Sequence, residues 1–140
     1  MRKMKRKIGI ILVLAFVFVA VSQFCLLADD VSLCNNNTGT TTTAFTISDD
    51  GTANVYVNYD GYPNITTGAT INITIKKRTL LLFWSEVVSD SITVSGEYYS
   101  NEFYYQLEDT GTYKCNVEYI VSGTMGEDDV IPFEYTAVYE

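Results

Sequence analysis

From Ala69 to Lys76 the chain changes character at every residue: Ala69, Ile71, Ile73 and Ile75 alternate with Thr70, Asn72, Thr74 and Lys76. A period of two puts every isoleucine on one side only if successive side chains point to opposite faces, as they do in a β-strand. On a helix the same residues would be spread around the circumference. The pattern recurs. Ala53, Val55, Val57 and Tyr59 share one face of a segment that begins near Thr52, and Thr43, Phe45 and Ile47 share one face of Thr41–Ser48. Ile92 with Val94, and Phe103, Tyr105 and Leu107, mark two further strands. Tyr113, Cys115, Val117, Tyr119 and Val121 alternate in another, and Ile131, Phe133, Tyr135, Ala137 and Tyr139 in the last. Turn-forming clusters separate them: Asp49-Asp50-Gly51, Asp60 to Asn64, Gly96, Glu108 to Gly111, and Ser122 to Asp129. No segment after residue 28 has a helical period.

Strands with one apolar face must cover that face. The expectation is an all-β fold: a two-layer antiparallel β-sandwich of 7–8 short strands, with a closed barrel as the alternative. The unbroken apolar run Leu80 to Trp84 reads as a strand covered on both faces, or as a hairpin crossing between sheets. Pro132 cannot donate to a ladder, so the last strand is expected at an edge or a bulge.

The first 28 residues have a different character. MRKMKRK is followed by fourteen residues without a charge, Ile8 to Val21, and then by SQFCLLA, which ends at Ala28. This is the layout of a secretory signal peptide, an N-terminal signal helix preceding the folded part. Cleavage is expected near Ala28, or after Ser22. The alternatives are an uncleaved anchor over residues 8–28, and a lipoprotein acylated at Cys25. Each delivers the remainder to the secreted or extracellular side of the cytoplasmic membrane. The expected organisation is residues 1–28 as signal, 29–42 as a flexible Asn/Thr-rich arm, and 43–140 as the sandwich.

Charge divides in the same way. Residues 29–140 keep all 17 acids but only Lys76, Lys77, Arg78 and Lys114, a net charge of −13. That surplus argues against nucleic acid as a partner, because such binding draws its affinity from cations that neutralise phosphates. The chain has no His, which removes His-based nucleophilic catalysis, His-ligated metals and histidine pH switching. Cleavage at Ala28 would leave two cysteines, Cys34 and Cys115, and an even count in a small exported domain suggests one disulfide. Two free thiols are the alternative.

Carboxylates are the remaining catalytic material, but Asp49, Asp50, Asp60, Asp109, Glu127, Asp128 and Asp129 all lie at turns. Such acids are solvated, whereas a glycosidase needs two carboxyls facing a cleft with one kept protonated. Asp49, Asp50, Asp109, Asp128 and Asp129 are weak calcium candidates if the loops pool them, though no local calcium-loop spacing exists. No cofactor is expected. Three Asn-x-Thr triplets, at Asn36, Asn64 and Asn72, match the glycosylation pattern and in a bacterial chain are by-products of abundant Asn and Thr. Tyr59, Tyr105, Tyr113, Tyr119, Tyr135 and Tyr139 fall on inward faces. Tyr56, Tyr98, Tyr99, Tyr104 and Trp84 are harder to bury and are the candidate binding residues, as platforms for sugar rings or anchors at a protein interface.

Asp109-Thr110-Gly111-Thr112-Tyr113-Lys114-Cys115 resembles the D-x-G-x-Y-x-C run that enters strand F of immunoglobulin domains. The resemblance implies an immunoglobulin-like sandwich in which Tyr113 is the tyrosine corner, its hydroxyl bonded back to the chain before strand F. Strand E would be Phe103–Leu107 and strand G Ile131–Tyr139. Cys34 and Trp84 fall outside the family's strand B cysteine and strand C tryptophan positions. The chain also resembles small exported β-sandwich proteins of Gram-positive, gut-type bacteria. The functional expectation is a non-enzymatic binding module that contacts an extracellular protein or glycan, with membrane contact only through residues 8–28 if these are uncleaved. The alternatives are a passive structural or envelope-associated protein and, more remotely, a glycan-acting enzyme using paired carboxylates.

Overall fold

The computed structural model describes residues 35–140; the expected signal segment, residues 1–28, and Cys34 lie outside them. Seven strands follow in order: β1 (Thr38–Ile47), β2 (Thr52–Gly61), β3 (Thr66–Leu80), β4 (Phe83–Ser95), β5 (Tyr98–Gln106), β6 (Gly111–Gly123) and β7 (Asp129–Tyr139). They form two antiparallel sheets, one ordered β1-β2-β5 and the other β4-β3-β6-β7. The architecture is the two-layer sandwich that the alternation demanded. In immunoglobulin lettering, β1-β2-β5 takes the places of A-B-E and β3-β6-β7 those of C-F-G, with β4 added beside C.

The periodic residues make the core. Ala53, Val55, Val57 and Tyr59 of β2 meet Ala69, Ile71, Ile73 and Ile75 of β3 and Tyr113, Cys115, Val117, Tyr119 and Val121 of β6. Phe45, Ile47, Val88, Ile92, Val94, Phe103, Tyr105, Phe133 and Tyr139 close its margins. The two central strands of the larger sheet are thus its most buried, and the edge strands β4 and β7 carry the half-buried rim. Pro132 lies on edge strand β7, the kind of position to which a residue without an N–H is confined in a sheet.

Hydroxyls join the layers where apolar contact alone would allow sliding. The Tyr119 hydroxyl lies 2.7 Å from Thr43 Oγ1, 3.1 Å from the Thr42 carbonyl and 3.2 Å from the Asn58 amide. Tyr135 donates to the Thr43 carbonyl at 2.9 Å, and Tyr59 to the Gly96 carbonyl at 2.8 Å. Tyr113 donates to the Asp109 carbonyl at 2.5 Å, so its hydroxyl closes the loop that enters β6. The β1–β2 turn needs Gly51, whose φ is +80° and where a Cβ would meet the Leu107 carbonyl and the Tyr139 ring.

Two expectations change, and a third reaches beyond the described residues. The arm of residues 29–42 does not extend to residue 42, because β1 begins at Thr38 and residues 38–42 pair with β2. Asn36 and Asn37 are held too: their amides donate to Asp129 Oδ1 and Oδ2 at 3.0 and 2.8 Å, and Asn37 Nδ2 donates to the Glu127 carbonyl. Threonine's strand preference and a buried carboxylate outweigh the polar composition that suggested a tether.

The second change concerns Leu80 to Trp84. It is neither a doubly covered strand nor a crossing between sheets. β3 and β4 form a hairpin within one sheet, and its tip is among the most exposed apolar surface of the described residues. The third concerns the cysteines. Among the described residues Cys115 is buried and unbridged, and its expected partner Cys34 lies outside them. The Asn37 side chain packs against Gly123, eight residues up β6 from Cys115 and therefore about 26 Å away. The chain between positions 37 and 34 reaches at most about 11 Å, too short to bring a bridge to Cys115 while Asn37 holds its place.

Candidate recognition surfaces

The five aromatic candidates divide between two surfaces and the interior. Tyr98 and Tyr104 point outward from β5, each about 60% exposed, and Tyr56 points the same way from the neighbouring β2. In the β2–β5 register Tyr56 stands opposite Glu102, and Asn54 opposite Tyr104. Tyr56 and Tyr104 are therefore diagonal neighbours, about 7–8 Å apart. Tyr98 lies six residues down β5, about 20 Å from Tyr104. Tyr99 alternates inward and packs against the core. Trp84 belongs to the other sheet.

Polar side chains fill the spaces between these rings. Ser100 donates to the Tyr56 hydroxyl at 3.2 Å, and Tyr104 donates to the Glu102 carboxylate. That bond holds the Tyr104 proton in place and raises its pKa above the ordinary phenol value. The side-chain oxygen of Asn54 is covered and has no hydrogen-bond partner among the described residues. The outer face of the β1-β2-β5 sheet thus offers aromatic faces set among hydrogen-bonding groups, along one strand and its neighbour.

The outer face of the larger sheet is different. A shallow trough of about 430 Å³ is lined by Asn72, Thr74, Asn116, Glu118, Pro132 and Glu134 among others. Both of its carboxylates are engaged: Asn72 donates to Glu118 at 3.2 Å, and Lys114 pairs with Glu134 at 3.0 Å.

The calcium candidates are separated. Asp49, Asp50 and Asp109 lie at one end of the sandwich, Asp128 and Asp129 at the other. Asp50 accepts from the Thr52 amide, which lowers its pKa, Asp109 pairs with Lys77 at 3.0 Å, and Asp129 holds β1. Among the described residues no group of three or more acids or cysteines could hold a metal ion.

Sequence reasoning missed the β3–β4 tip as a surface. Leu80, Leu81, Leu82 and Phe83 are 68%, 84%, 84% and 65% exposed. Directly beneath them Trp84 lies against two cations, with Lys114 Nζ 4.7 Å and the Arg78 guanidinium 5.7 Å from the ring centroid. The missed signal was the order of residues, three successive cations running into an apolar stretch across Thr79 with no Gly or Asp to mark the turn.

No protein-family model matches this chain, and no curated protein does. Among solved structures, a β-glucosidase from Listeria innocua, crystallised with isofagomine, is similar at 11% identity and a TM-score of 0.39. The similarity covers 68% of this chain and 16% of that enzyme.

Proposed function

We propose that the sandwich is a non-enzymatic recognition module on the extracytoplasmic side of the membrane, contacting a glycan or a protein through the outer face of β1-β2-β5. The observation that carries this reading is the outward display of Tyr56, Tyr98 and Tyr104. The core is closed by the inward set, so Tyr98 and Tyr104, each about 60% exposed, are not needed to fill it. Flat amphipathic rings interspersed with Asn, Ser and Glu side chains suit a sugar or a polar protein surface, where stacking and hydrogen bonding act together. The engaged carboxylates of the trough give an enzyme reading no support.

The test is retention of surface glycans and proteins on the immobilised chain. Wild type retains a ligand; Tyr104→Ala and Tyr56→Ala reduce retention by tenfold or more while leaving the unfolding midpoint nearly unchanged. If wild type retains nothing, the passive structural reading replaces this one.

A further inference from the structure

The structure assigns a second contact surface, separate from the tyrosine face: we infer that the β3–β4 hairpin tip inserts into an anionic lipid surface. The order of residues along the hairpin supports this. At its end stand Leu80, Leu81, Leu82 and Phe83, all strongly exposed. One step inward is Trp84. Around and behind it are Arg78, Lys114 and Lys76, with Lys76 opposite Lys114 in the β3–β6 register. Apolar end, then tryptophan, then cations is the sequence of environments met on leaving a bilayer: hydrocarbon, the interface that tryptophan prefers, and the headgroup layer where Lys and Arg find phosphate.

Charge complementarity decides the partner. Residues 35–140 contain 15 acids and four cations, and all four cations, Lys76, Lys77, Arg78 and Lys114, gather at the base of this hairpin. Lys77 and Lys114 are paired with Asp109 and Glu134, and Lys76 stands opposite Glu86 in the β3–β4 register, whereas Arg78 makes no ion pair within 4.0 Å among the described residues and stands opposite Trp84. Asp49, Asp50, Glu108 and Asp109 lie at the same end of the sandwich, but β3 and β4 continue past Lys77, the last residue paired with β6. Leu80, Leu81, Leu82, Phe83 and Arg78 therefore stand beyond the level at which Asp109 pairs with Lys77 and Glu134 with Lys114, and they meet a surface first. A second copy is a poorer occupant. Each copy carries the same acidic excess, and a four-residue tip falls far short of the roughly 20–30 residues a side of a stable interface.

Trp84 is the single tryptophan of the chain, so its fluorescence reports on this hairpin in the full-length protein. The full chain is mixed with vesicles of phosphatidylcholine, or of phosphatidylcholine and phosphatidylglycerol, in which a fraction of the acyl chains is brominated. Residues 8–28 are common to every variant, so differences between variants read the tip. Expected are a blue shift and bromine quenching of Trp84 on the phosphatidylglycerol mixture, weaker in high salt. Arg78→Gln should lower the partition about fivefold, and Leu81→Asp with Leu82→Asp should abolish the quenching while circular dichroism stays unchanged. The proposal is overturned if Trp84 stays open to iodide and unquenched, or if quenching is equal on phosphatidylcholine alone. It is also overturned if the double variant is quenched like wild type, or if the blue shift appears without vesicles and grows with protein concentration, which would indicate self-association. None of these readouts depends on Tyr56, Tyr98 or Tyr104, so failure here leaves the tyrosine face standing, and the reverse.

Discussion

The Tyr119 hydroxyl, fully buried on β6, serves three groups of the opposite sheet. Tyr119→Phe leaves the buried Thr43 hydroxyl and the part-buried Asn58 amide without that partner. The expected loss is about 1–3 kcal/mol of unfolding free energy, measured by urea titration. Tyr113→Phe removes one bond, to the Asp109 carbonyl beside solvent, and should cost about 1 kcal/mol. An equal loss for the two variants would show that the Tyr119 network holds no more than the loop bond does. Cys115 is a third residue-scale case. Burial pushes its thiol up to about 12, so little thiolate forms at neutral pH and the sulfur is shielded as well. Native protein should resist alkylation at Cys115 and react once unfolded, and non-reducing mass spectrometry should show it unbridged. A Cys34–Cys115 crosslink in folded protein would refute the placement of Asn37.

At the scale of elements, the start of β1 and the β3–β4 tip behave oppositely. β1 is an edge strand whose first turn of chain depends on Asp129, a residue 92 positions away. Asp129→Ala removes two amide-to-carboxylate bonds and should cost roughly 1.5–3 kcal/mol. The loss should appear first as faster amide exchange at residues 36–41, with β3 and β6 still protected. The tip makes no core contact, so Leu81→Asp with Leu82→Asp should shift stability by no more than about 0.5 kcal/mol. A large destabilisation would mean that the leucines are packed after all. The contrast shows how far each element was legible in advance. β2, β3, β6 and β7 could be read residue by residue because alternation reports which face is buried. The Leu80–Phe83 run could not, because apolar character without a period says nothing about whether anything lies above it. Asn36 and Asn37 could not be placed either, because their partners lie some 90 residues away in the chain.

For the whole molecule, pH dependence follows from what is buried and from what the chain lacks. Cys115, Tyr59, Tyr105, Tyr113 and Tyr119 all have raised pKa values, with burial the leading cause in each. A group whose folded pKa lies above its unfolded one holds its proton more tightly when folded. Its contribution is complete below the unfolded value, 9.0 for the thiol and 10.0 for the phenols, and is lost as pH climbs toward the folded value. Unfolding midpoints should be nearly flat from about pH 6 to 8, where a chain without His has no ordinary side chain to titrate. They should then fall from about pH 9 toward 12. A transition near pH 6.5 would contradict this account.

Alternation along the chain determined the all-β class and the inward set of each main strand, because these depend only on neighbours in sequence, and composition alone left residues 29–140 with four cations. The tertiary structure alone decided that three of five aromatic candidates share an outer face while Tyr99 turns inward, and that the calcium candidates lie at opposite ends. It also decided that four cations converge beneath an exposed apolar hairpin. The reason is register: which strands pair, and at which residue, is set by how two apolar faces pack across the gap between layers. A period of two marks the face a side chain takes and leaves open what it meets there.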